Sequence, residues 1–142
     1  MSTSAVIAKS RENLFLRSDL DPILAGEALA DAIKFIKSEW GYSNETIGNI
    51  IKVSKNTIKN WLDEESVPIS EGSFSSEVEA LISLIGIHKS LHAMFSTPSN
   101  QIEWLSTFHP QLQSKPMDLM VESNENLFGV RRYLDYVRGR GA

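Results

Sequence analysis

Apolar residues recur at helical spacing along most of this chain. Leu29, Ile33, Ile36 and Trp40 mark one face of a helix that Asp21-Pro22 can open and Gly41 can close. Asp suits the cap position, Pro the first helical position and Gly the terminating turn. From Ser43 to Leu62 the pattern predicts two short helices joined by a tight turn. Ser43 caps the first, with Ile47 and Ile51 on one face at i, i+4. Val53 plugs the turn and Ser54 caps the second helix, whose Ile58, Trp61 and Leu62 face inward.

Val67 to Glu77 (VPISEGSFSSE) is rich in Pro, Gly and Ser and reads as a linker. Ser75 or Ser76 can cap the next helix. Between Glu77 and Phe95 the apolar stripe is wide, which predicts a helix buried on more than one side, either a core helix or a dimer seam. A turn at Thr97–Asn100 leads to a short helix over Gln101–Phe108 with Ile102, Trp104 and Leu105 inward, and His109-Pro110 stops it. Pro116 opens another helix containing Met117, Leu119 and Met120. Glu122 to Asn126 is polar and turn-like. A last helix over Leu127–Val137 places Val130, Tyr133, Leu134 and Val137 on one face. No segment alternates convincingly with strand period, so the expectation is an all-α chain. Its divisions are a flexible segment over 1–20, a helix-turn-helix unit over 21–66, a linker over 67–76 and a helical unit over 77–142.

The outer face of the second short helix carries Lys55, Asn56, Thr57, Lys59 and Asn60. Such side chains donate to phosphates and read base edges, Asn against adenine and Lys against guanine or phosphate. A helix-turn-helix sets its second helix in the major groove in this way. The bland alternative is a solvated helix face. Charge bears on the choice: the chain carries −4 overall, yet Ile50–Leu62 holds three lysines and no carboxylate. Asp63, Glu64 and Glu65 come at once after it, so any footprint is narrow.

With 142 residues, 42% of them apolar, the chain can bury a substantial core, in one domain or two small ones. It has no cysteine, which rules out disulfides and thiolate metal sites. The longest apolar run, near Ala80–Ile87, is too short to span a bilayer, and the start lacks a signal-peptide core. A soluble, cytoplasmic protein is expected. His88 and His92 stand at chelating spacing without a third ligand nearby, so they read as packing or surface residues and no metal is expected. Trp40, Trp61 and Trp104 read as core anchors, and Met94, Met117 and Met120 as core fillers. No nucleophile–base pair, phosphate-cradling loop or cofactor motif is evident, so no enzyme is expected.

The C-terminal half carries, in order, Trp104-Leu105, Pro110-x-Leu112, the box Lys115-Pro116-Met117-Asp118-Leu119-Met120, and Gly129 through Leu134. These spaced elements resemble the C-terminal block of Xre/MbcA/ParS-like antitoxins. They come after a long apolar helix and an N-terminal helix-turn-helix, in the family's order. Three positions depart from its pattern: Lys52 stands where the turn often has Gly, Gly48 where the first helix often has Ala, and Ser114 where a Gly precedes the Lys-Pro pair. The resemblance implies an all-α, usually dimeric antitoxin. Such a protein neutralises an NAD-consuming RES-domain toxin through its C-terminal domain and represses the shared promoter by binding operator DNA. The toxin-facing candidates are Arg131, Arg132, Tyr133 and Tyr136 on the last helix, with Arg138 and Arg140 in a terminal RGRGA tail expected to be flexible. Arg and Tyr are common interface anchors, though a charged helix end would show the same residues. Two other functions stay open: a neutralising protein without DNA binding, and a stand-alone transcription regulator.

Overall fold

The computed structural model describes residues 21–70 and 74–141, with side chains to Gly139. The described residues form seven helices and no strand; the nearest approach to one is an isolated antiparallel bridge between His109 and Ser114. The segment expected to be flexible, 1–20, lies outside the described residues.

Helix α1 spans Pro22–Trp40. Asp21 caps it by accepting from the Ile23 N–H at 2.9 Å. Gly41 ends it in the left-handed region, at φ 69°, and donates its N–H to the Lys37 carbonyl. That conformation is open to Gly at no steric cost. Helices α2 (Asn44–Ile51) and α3 (Lys55–Glu64) form a close pair. The long helix α4 runs from Ser76 to Met94, with Ser75 as its cap: the Ser75 hydroxyl accepts from the Val78 N–H. The last three helices are α5 (Pro98–Ser106), α6 (Pro116–Glu122) and α7 (Asn124–Gly141).

Helix α4 is the centre of the molecule. It packs against α7 most extensively and also meets α1, α2 and α5. Val78, Leu81, Leu84, Ile87 and Leu91 are all buried, so its apolar stripe is covered within the chain on more than one side. A helix apolar around most of its circumference must be enclosed to remove that surface from water.

The segment read as a linker holds a core residue. Val67 is buried, its N–H bonds the Gly26 carbonyl at 3.0 Å, and its own carbonyl lies where a Cβ on Gly26 would stand, 2.3 Å away. Only a glycine at position 26 lets the chain cross α1 so closely. A hydrophobic cluster runs without a break from Ala25 to Leu134. Gln101, fully buried, adds a polar tie: it accepts from the Trp40 indole N–H at 2.8 Å and donates to the Phe95 carbonyl at 3.0 Å. Both ends of that amide are satisfied, so its burial does not strand a polar group.

Four boundaries differ from the pattern-based expectation. Helix α5 starts at Pro98 rather than Gln101, because Thr97 caps it and Pro98 takes the first helical position. It ends at Ser106, leaving Phe108 exposed. The polar stretch 122–126 contracts to a break at Ser123, whose hydroxyl accepts from the Asn126 N–H. Helix α7 continues to Gly141, so residues 138–141 of the tail expected to be flexible are helical. Met94 is exposed rather than a core filler, since it falls on the last turn of α4, beyond the helices that cover it; Met120 is buried as expected. Trp104 is half-buried and stacks on His109 with ring centroids 4.6 Å apart. No single described helix is long and apolar enough to cross a membrane.

Candidate nucleic-acid interface and the C-terminal helix

The pair α2–α3 is built from two serine caps and one glycine. Ser43 Oγ accepts from the Thr46 N–H and Ser54 Oγ from the Thr57 N–H, each at 3.1 Å. Each cap satisfies a donor that the first helical turn leaves unpaired. Ile47, Ile50, Ile51 and Ile58 are fully buried between the helices and the rest of the core, with Trp61 beside them. At Gly48 an added Cβ would lie 2.4 Å from the Val53 carbonyl oxygen. The Val53 N–H in turn bonds the Gly48 carbonyl at 3.0 Å. The small residue therefore sets how tightly the turn folds back on α2.

Lys52 occupies the turn at φ 67° and ψ 41°, the left-handed conformation in which Gly is the usual residue. Its side chain offsets that strain. The ammonium donates to the Asn49 carbonyl at 3.0 Å and to the Val121 carbonyl at 2.5 Å. Both carbonyls lie in the last turns of helices, α2 and α6, where the dipole favours a cation. Partial burial pulls the Lys52 pKa below its ordinary 10.5. The turn is thus tethered to the C-terminal helices, a contact across 69 positions of sequence that local spacing does not reveal.

Lys55, Asn56, Lys59 and Asn60 are exposed on α3, as the spacing predicts. Thr57 is half-buried instead, because its hydroxyl turns back to the Ser54 hydroxyl at 2.9 Å. Lys59 pairs with Asp63 at 2.5 Å, on an exposed i, i+4 site where such a pair adds little stability but offsets local charge. Lys55 is the cation of this surface that no described group engages. The face is polar and hydrogen-bonding, with its positive charge concentrated at the N-terminal end of α3.

Along α7 the six toxin-facing candidates separate. Arg131 turns inward: its guanidinium lies over Gly86 of α4, 2.6 Å from where a Cβ would stand, and donates to the Ile82 carbonyl at 3.3 Å. Asp135 flanks it at 3.7 Å. It binds α7 to α4 rather than presenting itself to a partner. Arg138 is half-buried and donates to the Ser90 hydroxyl at 3.1 Å. Tyr133 is half-buried, while Arg132 and Tyr136 are exposed four residues apart. The side chain of Arg140 lies outside the described residues.

One cluster was not anticipated from sequence. His88 is buried in α4, and its Nε2 meets Glu39 Oε1 of α1 at 3.0 Å. Trp40 and Phe35 pack edge-on to the same imidazole at centroid distances of 4.7 and 5.4 Å. Burial lowers the His88 pKa; the nearby Glu39 carboxylate opposes that and His92 adds to it. The i, i+4 spacing of His88 and His92 was visible, but Glu39 is 49 positions away. Among the described residues no group of His, Asp or Glu forms a metal-binding set.

Neither a scan of protein-family models nor a search of curated proteins finds a match to this chain.

Proposed function

We propose that this chain is a type II antitoxin of the Xre/MbcA/ParS-like kind: it neutralises a RES-domain toxin through its C-terminal helices and represses its own operon through α2–α3. The observation that carries this reading is the outward face of α3, where Lys55, Asn56 and Asn60 are exposed on a capped helix packed tightly behind a Gly48–Val53 turn. In such a pair the second helix enters the major groove, Asn56 reads a base edge and Lys55 contacts guanine or phosphate. On α7, Arg132 and Tyr136 are the exposed pair suited to anchor a protein partner.

The charge pattern favours a second reading, a neutralising protein that does not bind DNA. Lys52 is engaged by two carbonyls and Lys59 by Asp63, so the basic footprint is small on a chain of net charge −4. A gel-shift titration of the chain against its own promoter, repeated at several salt concentrations, separates the two. The repressor reading expects a retarded band whose affinity falls with salt, and a shallower salt slope for Lys55→Ala, because fewer counterions are released. Absence of any retarded species at low salt, together with full toxin neutralisation, selects the second reading.

A further inference from the structure

Helices α1, α4 and α7 leave between them a cavity of about 460 Å³ that the repressor and antitoxin roles do not use. Its apolar lining includes Phe35 and Ile36 from α1 and Ile85 from α4. Phe35, in edge contact with His88, is 52% exposed at its rim, so a ligand seated there would cover its ring. The polar groups that converge on the same space are His88, His92, Lys89 and Arg138. Among the described residues that line it, none carries a carboxylate.

Charge complementarity defines the occupant. Glu39, the nearest acid to the histidines, already meets His88 Nε2 at 3.0 Å and stands 3.8 Å from His92 Nε2. Arg138 donates to a neutral hydroxyl, that of Ser90, and makes no ion pair among the described residues. Its remaining guanidinium N–H groups are suited to a planar, two-oxygen acceptor. The size lies within the range of small-molecule sites, which combine an apolar lining with a few placed polar groups.

We propose that this cavity binds a small organic acid, with its aromatic body against Phe35, Ile36 and Ile85 and its carboxylate on Arg138. His92, on the rim, donates a second hydrogen bond to that carboxylate. The ligand would bridge α1 to α7, two helices that share little direct packing, and so stabilise the folded chain by binding it in preference to the unfolded one.

The test uses the full chain, labelled with nitrogen-15, and two probes of one skeleton: hydrocinnamate and the neutral hydrocinnamyl alcohol. Saturable amide shifts at residues 32–36, 85–93 and 138 are expected with hydrocinnamate. The alcohol should bind about tenfold more weakly or worse, the difference expected for loss of one charge-assisted contact. Arg138→Gln should bring the acid to the affinity of the alcohol while leaving the alcohol unchanged. No saturable shift with hydrocinnamate overturns the proposal. Equal affinity for acid and alcohol on the unmodified chain also overturns it, and that comparison needs no variant to fold.

Discussion

At the scale of single residues, contact type decides how much a substitution matters. A Cβ at Gly48 would meet the Val53 carbonyl, which is backbone and cannot swing aside. A Cβ at Gly86 would meet the Arg131 guanidinium, the far end of a flexible side chain. Gly48→Ala should therefore destabilise the chain by about 1–3 kcal/mol, the range for forced overpacking. Gly86→Ala should cost less than about 1 kcal/mol, because the guanidinium can shift at its flexible end without leaving the Ile82 carbonyl and the helix propensity gained, about 1 kcal/mol, offsets that shift. Urea unfolding of both variants checks the contrast, and equal effects would contradict it. Buried titratable groups give a second residue-scale expectation. The folded-state pKa of His88 is depressed, so the unfolded chain binds the extra proton first as pH falls. Its contribution is complete above the ordinary value of 6.5 and is lost as pH drops through the folded value. The urea midpoint should fall across that window, and His88→Gln should flatten the fall; a pH-independent midpoint in the parent chain would contradict the assignment. Burial likewise raises the Tyr42 phenol to about 12. A spectrophotometric titration should show that late transition and lose it in Tyr42→Phe; a Tyr42 phenol ionising at its ordinary 10 would contradict it.

At the scale of elements, the described helices track the sequence closely wherever the signal is local. The caps at Asp21, Ser43, Ser54 and Ser75 bond donors two or three residues on, and Gly41 ends α1 where the apolar period stops. Such contacts lie within a few residues, so spacing alone reveals them. What spacing missed comes from contacts made at long range. Polar composition around Val67 suggested a linker, but the Gly26 carbonyl holds that residue in the core. Charge along α7 suggested one exposed arginine cluster, but helical geometry turns Arg131 toward Gly86 and Ile82, leaving Arg132 outside. The candidate DNA face was legible because it is an outward stripe of one helix, save for Thr57, which the neighbouring cap draws in. The cavity between α1, α4 and α7 was not legible, since its walls are brought together only by tertiary packing. Replacing Arg131 with Ala removes a charged donor from the Ile82 carbonyl, which should cost about 1.5–3 kcal/mol. Thermal unfolding of that variant measures the α4–α7 contact, and an unchanged midpoint would show that the guanidinium contributes nothing to it.

At the scale of the whole molecule, the helix pair proposed to meet DNA and the helices proposed to meet a toxin touch each other. Lys52 joins the carbonyl ends of α2 and α6, and α2 packs on α4, α6 and α7. Under the proposed function, toxin occupancy would reach the orientation of α3 through these contacts. The three tryptophans report on different regions: Trp40 of α1 and Trp61 of α3 are buried, and half-buried Trp104 of α5 packs against the core. Unfolding followed by their fluorescence should therefore coincide with unfolding followed by helical circular dichroism, as it does for a single cooperative unit. Co-expression with the product of the adjacent gene tests the proposed antitoxin role. Growth arrested by that product is expected to be restored, the two chains to co-purify, and removal of residues 75–142 to abolish both. Arrest that persists in the presence of the full chain, with no complex recovered, would contradict it.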